Sequence, residues 1–364
     1  GLTPFGRSPE RTGRDLFAEA ALAAREEAGV PREDFDGVAY GNFMGSLSER
    51  QGHQAPLMAE AAGLDCPATR YEEACASAGA AVRSAVKDLR NGEADVMLAG
   101  GMERMNNLGT AEVTEALATA ADELYEIRSG MTFPGAYALM ARAYFSEYGG
   151  DREDLAAVAV KNHDNALPNE YAQFRKAITP EDAVEAPMVA DPLGLYDACP
   201  VTDGAATLVL VSDEYADEHD IHAPVEITGT GQGGDNLALQ DREYLARTPA
   251  TAKAGEMAFG EAGITVDDVD FVEVHDCFTI AEVLALEGLG FFEYGEGISA
   301  AREGLTTANG ELPVNLSGGL KAKGHPVGAT GASQVVEVTR LLRGDHPNSD
   351  AVPDARVGVT HNAG

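Results

Sequence analysis

The segment "EAGVPREDFDGV" (Glu27–Val38) returns later in the chain as "EAGITVDDVDFV" (Glu261–Val272), with Glu, Ala, Gly, two Asp and Val coinciding without a gap. Glycine readily takes the left-handed conformation that stops a helix, so Gly29 and Gly263 each read as a helix end. An acidic turn follows in both copies, then a hydrophobic strand, "GVAYGNF" or "FVEVHDCF". A second pair lies downstream. "CASAGAAVRSAVKDLRNG" (75–92) superposes on "VGATGASQVVEVTRLLRG" (327–344), sharing Gly79/Gly331, Ala80/Ala332, Val86/Val338, Leu89/Leu341 and Gly92/Gly344. Each helix is followed by a strand-like run, "ADVMLAGG" or "ARVGVTHN". Two matches in the same order imply an internal duplication. The chain therefore reads as two related α/β halves, each alternating strand and helix in layers.

Between the repeats the pattern changes. Residues 107–196 hold helical stretches ("GAYALMARAYFSEYG", "REDLAAVAVKNHDNAL") and few strand signals, which marks an insertion into the first half. "CPVTDGAATLVLVSDEYADEH" then returns to strand and helix. The expected units are 1–106 with 197–219, the inserted 107–196, and 220–364.

Sixty carboxylates face 26 basic residues, only six of them lysine, for a net charge of −34. Such a surface repels nucleic acid and anionic membranes. The excess runs along the whole chain, and a dense carboxylate shell stays soluble where salt screens its self-repulsion, so a cytoplasmic protein of a halophile is expected. Hydrophobic residues make up 44%, enough for a substantial core, and no apolar run reaches the length of a membrane span. The four cysteines (Cys66, Cys75, Cys199, Cys277) are scattered, without C-x-x-C or metal-ligand spacing, as expected for free thiols in a reducing compartment. No metal site is read. The ends, "GLTPFG" and "THNAG", look cut in mid-element, so native chain is expected beyond them.

Three segments of the second half carry chemistry-bearing residues where strand meets loop: "EVHDCF" with His275 and Cys277, "NLSGGLKAKGHPVGATGAS" (315–333), and "VTHNAG" with His361. Sites of layered α/β folds gather at strand C-termini, so these loops are expected to share an edge with Cys75. In the long glycine loop, Pro326 fixes the chain after His325. Lys321 and Lys323 are two of the six lysines, and their place in that loop, beside Ser317 and Gly319, points to an anionic ligand. The loop lacks the G-K-[ST] ending of a P-loop and the dinucleotide fingerprint.

"PATRYEEA" reads as a strand entering a turn, with Cys75 at the start of the next helix. The positive end of a helix stabilises thiolate, and an imidazole from His275, His325 or His361 would complete activation. Cys66 and Cys199 read as packing residues and His163 as a surface helix position. Ser77 lacks the glycine spacing of a hydrolase elbow.

Together, "EEACASAGAAV" and "GGLKAKGHPVGATGASQ" resemble the nucleophile loop and the Gly-His-Pro loop of the thiolase superfamily, over essentially the whole chain. The resemblance implies the thiolase fold: two five-stranded α/β halves in an αβαβα layering, with a mostly helical loop domain that binds coenzyme A. "HDCF" is similar to the sterol-carrier-protein-type thiolases and archaeal acetyl-CoA acetyltransferases, and "HNAG" stands where classical members carry a second reactive cysteine. The implied activity is acetyl-CoA C-acyltransfer, forming or cleaving 3-oxoacyl-CoA. The resemblance makes Cys75 the nucleophile and His325 its base, and either Cys277 or His361 the α-proton acid/base. It makes His275 and His325 donors to the enolate oxygen, and the N–H groups of Cys75 and Gly364 the tetrahedral oxyanion hole. It implies CoA thioesters as substrates and no bound cofactor. The expected assembly is a homodimer or tetramer, with a small zinc-ribbon/OB-fold partner and a hydroxymethylglutaryl-CoA synthase as further partners. Other condensing enzymes of the fold, such as ketoacyl or hydroxymethylglutaryl-CoA synthases, and a non-catalytic subunit are the alternatives.

Overall fold

The computed structural model describes residues 1–364. Helix α1 (Gly13–Ala28) opens on Thr12, whose side chain forms a capping box with Asp15, and stops at Gly29 with φ +67°. Its apolar stripe of Leu16, Phe17, Ala20, Ala21 and Ala24 is buried. Strand β1 (Gly37–Gly41), short α2 (Gly45–Ser48), α3 (Ala55–Ala61), β2 (Ala68–Tyr71), α4 (Ser77–Arg90) and β3 (Val96–Glu103) follow. A mostly helical stretch comes next: α5 (Thr110–Ala118), α6 (Phe133–Tyr148), α7 (Arg152–Ala166), α8 (Pro180–Glu185) and the hairpin β4 (Met188–Ala190) and β5 (Leu193–Gly194). Strand β6 (Gly204–Val211) and α9 (Asp213–His219) lead into α10 (Pro249–Ala262), β7 (Phe271–Glu273), α11 (Thr279–Gly288), α12 (Gly297–Arg302), α13 (Thr330–Arg343) and β8 (Gly358–Thr360). No helix is long and apolar enough to cross a membrane.

The first sheet runs β2-β1-β3-β6, with β1 parallel to both neighbours and β6 antiparallel to β3. Both β1 and β3 are buried throughout, as apolar and glycine sequences require of central strands, with Glu103 the one acidic residue at the end of β3. The second half repeats the arrangement: α10 stops at Gly263 with φ +69°, and β7 pairs in parallel with β8 on one side and with Val314 on the other. The duplicated sequence reappears as a parallel strand core in both halves of a layered α/β architecture, but the sheets hold four strands and two strands with a bridge at Val314, not the five expected of each half.

Helices α4 and α13 pack against each other between the sheets. Their shared glycines make this possible. A Cβ added to Gly331 would lie 2.4 Å from the Gly79 nitrogen, so the repeat-related glycines touch where the helices cross. A second close approach joins the halves at β3, where a Cβ on Gly101 would fall 1.9 Å from the Gly328 carbonyl oxygen. Glycine at these positions lets the His325 loop of one half lie directly on the sheet of the other.

Candidate active site

Cys75 sits in the turn between β2 and α4, and Ala74 before it takes a left-handed φ of +46° that costs a non-glycine residue energy. Ser77 holds this turn: its Oγ donates to the Ala74 carbonyl at 2.6 Å and accepts from the Glu73 N–H at 3.1 Å. Ser77 is thus part of the frame. Glu72 folds back to accept from the Ala74 N–H at 2.7 Å, and Glu73 is exposed with its Oε1 toward Gln232. Neither carboxylate presses on the thiol.

Position at a helix N-terminus does not give Cys75 a thiolate at rest. Burial dominates and pushes the thiol well above its usual range, with Cys199 and Glu103 adding to the rise. A neutral thiol needs a base beside it.

Two imidazoles stand beside it. The Cys75 sulfur and one ring nitrogen each of His275 and His325 lie within 4.8 Å of one another. The two rings are 5.1 Å apart and nearly perpendicular. Both imidazoles are neutral because burial disfavours the cation: His325 is lowered to about 3 and His275 well below its usual value. Their hydrogen bonds assign opposite tautomers. The Thr330 hydroxyl donates to the Pro326 carbonyl at 3.0 Å, leaving its oxygen to accept from the His325 Nδ1–H at 2.7 Å. His325 Nε2 then carries a bare lone pair, and it is buried without a partner. The Asn362 amide donates to His275 Nδ1 at 3.0 Å, which puts the His275 proton on Nε2. One ring is a proton acceptor, the other a donor.

Cys75, Cys277, His275, His325, His361 and Gly364 all line one cavity of about 630 Å³. Gly364 lies against the nucleophile turn, where a Cβ would come within 2.0 Å of the Glu73 carbonyl oxygen. Burial raises the Cys277 thiol well above its usual range, and Cys199 and Cys75 raise it further. His361 is lowered to about 4 by burial, with Nε2 3.1 Å from Thr251 Oγ1 and Nδ1 unpartnered.

The expected anion contacts are elsewhere. Lys321 and Lys323 are each only 2% exposed, and neither lines the cavity. Lys321 Nζ stands over the Tyr196 ring, and burial lowers its proton affinity while the Asp276 and Asp197 carboxylates partly restore it. Lys323 Nζ reaches Ser333 Oγ at 3.2 Å and Glu337 at 3.7 Å. Ser317 donates to Glu273 at 2.6 Å, and Gly319 is packed against Asp276. Lys323 is committed to the buried Glu337 carboxylate and Lys321 is enclosed in the core, so neither ammonium group reaches the cavity. His163 is likewise buried in the interior, its Nδ1 2.8 Å from the Lys176 carbonyl.

Asp276 ties the loops together. Its carboxylate accepts from the N–H groups of Leu320 and Lys321 and from the Asn162 amide, joining the His275–Cys277 loop to the glycine loop and to α7. Burial, with Glu282 beside it, weakens the acid and raises its pKa to about 7. Sequence reasoning missed Thr330, Asn362 and Tyr137. Thr330 stands five residues after His325, and a hydroxyl so close to that histidine was the available signal, whereas Asn362 serves His275, far away in the chain, and only the fold joins them. Cys199, taken as packing, also borders the cavity, and its N–H donates to the Cys277 carbonyl at 2.9 Å.

A sheet pair with a buried thiol, two neutral imidazoles of opposite tautomer and a second thiol at its edge is built for acyl transfer through cysteine. Residues 1–214 match the family model "Thiolase, N-terminal domain" and 231–364 match "Thiolase C-terminal domain-like". The chain belongs to the thiolase family, and the expectation of a thiolase-type acyltransferase is met. It is 45% identical over its whole length to the acetyl-CoA acetyltransferase of Methanothermobacter thermautotrophicus, covering 94% of that protein. It is 40% identical to the acetyl-CoA acetyltransferase of Methanocaldococcus jannaschii, again covering 94%. Among solved structures it is similar to the Ltp2-ChsH2(DUF35) aldolase, with a TM-score of 0.84 at 26% identity over 100% of this chain and 93% of the other.

Proposed function

We propose that the cavity forms and cleaves 3-oxoacyl-CoA through an acyl group carried on Cys75. The carrying observation is the convergence of the Cys75 sulfur with His275 and His325, with the His325 Nε2 lone pair unpartnered. Cys75 attacks the thioester carbonyl as its proton passes to His325 Nε2. The CoA sulfur leaves with the proton of Cys277, which becomes the thiolate. The N–H groups of Cys75 and Gly364 hold the tetrahedral oxyanion. Cys277 then takes the α-proton of a second acyl-CoA, and the electron pair left behind is held on the thioester oxygen by His275 Nε2–H, with His325 assisting through a water. The α-carbon attacks the acyl-cysteine, and the departing Cys75 sulfur recovers its proton from His325. Preorganised donors in a dry site supply most of such a barrier reduction.

His361, with Nε2 given to Thr251, is the weaker candidate for the α-proton. With Lys321 and Lys323 in the core, Arg242 and Arg247 are the Arg or Lys residues of the cavity lining, and we assign them the CoA phosphates. The inserted segment 107–196 would bear the rest of that ligand. The assembly we propose is a homodimer or tetramer in the cytoplasm of a halophile. A small partner protein is supported by a likeness to a two-component aldolase structure, and a zinc-ribbon/OB-fold protein is the candidate. The test is thiolysis of acetoacetyl-CoA in high salt. Wild type should turn over, Cys75→Ala should be inactive, and Cys277→Ala should lose far more than His361→Ala. Full activity in Cys277→Ala would pass the proton to His361.

A further inference from the structure

Cys75, His275 and His325 stand on three separate loops, after β2, after β7 and in the glycine loop, so no spacing in the sequence announces what the fold brings together. One donor atom from each lies within 4.8 Å of the other two, and all three residues are buried at the wall of one cavity. The His325 Nε2 lone pair has no partner in the chain. We propose that these three side chains also form a binding site for a thiophilic divalent cation of the zinc class, and that its occupation reversibly shuts the acyl-transfer site.

The donor set fits such an ion. A thiolate and two neutral imidazoles are the ligands that borderline-soft cations take, whereas magnesium and calcium take oxygen. Around a tetrahedral zinc the sulfur and nitrogens sit about 3.3–3.6 Å apart, so the three atoms have to close by at most about 1.5 Å. The outer contacts suit a metal as well. His325 gives its Nδ1–H to Thr330 Oγ1, itself anchored on the Pro326 carbonyl, which is the support that fixes a metal-ligating imidazole. His275 must offer Nε2 and carry its proton on Nδ1, where Asn362 donates in this structure. Turning that amide end for end brings Oδ1 there to accept, and Oδ1 is otherwise buried without a partner. The amide rests against Gly79 and Gly331, which have no side chain to obstruct the turn. One way up, Asn362 makes His275 a donor; the other way up, it makes His275 a ligand.

On binding, the Cys75 S–H bond is replaced by a sulfur–metal bond and the proton leaves to solvent, with no change of oxidation state. Burial keeps the free thiol protonated, and a dication beside the sulfur outweighs it. The bound sulfur cannot attack a thioester, and the His325 lone pair is taken. This inhibitory consequence rests on the acyl-Cys75 reading above, whereas the binding itself does not.

The test titrates chelator-treated protein with Co²⁺, read by its thiolate charge-transfer absorption, and then with Zn²⁺ in competition. Saturation at one ion per chain, with about one proton released per ion, is expected. Cys75→Ser should lose the band, and Cys199→Ala and Cys277→Ala should keep it. Asn362→Asp, whose carboxylate accepts from the His275 Nδ1–H either way up, should tighten binding by about 10- to 100-fold. Equimolar Zn²⁺ should prevent acetylation of Cys75 by acetyl-CoA, a chelator should restore it, and Mg²⁺ at the same concentration should do nothing. Absence of a cobalt–thiolate band, a band that survives in Cys75→Ser, or binding left unchanged or weakened by Asn362→Asp overturns the inference. A Cys75 peptide that stays unacetylated in metal-free wild type would instead overturn the acyl-enzyme reading, and the cobalt band would stand.

Discussion

His275 and His325 stand 5.1 Å apart with ring planes at 87°, and their outer hydrogen bonds give them opposite proton placements. Thr330 accepts from one ring and Asn362 donates to the other. Two identical side chains thereby present a lone pair and an N–H to the cavity, and the first prediction follows from the roles proposed for them. Thr330→Val frees His325 to adopt the wrong tautomer and should slow Cys75 acylation by about 100-fold, the lower end of what one well-placed general base contributes. Thr330→Ser should restore it. Rapid-quench mass measurement of the acyl-enzyme distinguishes this from a folding defect.

Asn362→Ala should lower kcat by about tenfold or more with KM nearly unchanged, because the donor it orients acts on charge present only in the transition state. A rise in KM alone would show that Asn362 serves binding.

The pH dependence of acylation also follows. With His325 held to about 3, the base is unprotonated throughout the neutral range. The rate of acyl-Cys75 formation should therefore show no acid limb between pH 5 and 8, whereas an unperturbed imidazole would give one near 6.5. Quenched-flow rates across that range decide it, and an inflection between pH 6 and 7 contradicts it.

Much of this was legible in the sequence, for identifiable reasons. Glycines at 29, 79, 263 and 331 are required by backbone geometry that repeats, so the repeat exposed both halves and their topology. The loops carrying Cys75, His275, Cys277 and His325 stand beside strand ends, and a layered α/β fold brings such ends together. The acidity of Cys75 was misread because burial outweighs the helix terminus, and burial is a property of the assembled halves. Lys321 and Lys323 were misread because a lysine in a glycine loop looks the same whether its partner is a ligand phosphate or a buried Glu337. Tyr137 had no local signal, since only the packing of α6 over the cavity stacks it on Phe278, the residue after Cys277.

The reassigned lysines can be checked directly. Lys323→Met should cost about 3 kcal/mol of stability, the lower end for breaking a buried ion pair, since Arg340 and Asn169 still serve Glu337. KM for the CoA substrate should not change. Denaturant titration and steady-state kinetics on the same preparation give both numbers, and a raised KM in a stable variant would return Lys323 to the ligand.

The glycine contact between the halves should be asymmetric. Gly331→Ala would press a methyl onto the Gly79 backbone and Asn362 and should destabilise by about 1–3 kcal/mol or more, while Gly79→Ala meets only the Asn362 side chain, at 3.0 Å, and should cost less. Thermal melts of the two variants side by side check the order, and equal costs would mean that α4 and α13 are not held this closely.

The central claim is that Cys75 carries the acyl group. Wild-type protein incubated with acetyl-CoA in high salt, quenched in acid and digested, should yield the Cys75 peptide bearing one acetyl group, released again by added CoA. Cys75→Ala should show no acetylated peptide. An unmodified Cys75 peptide, or acetyl found on Cys199 or Cys277 in its place, would contradict the account.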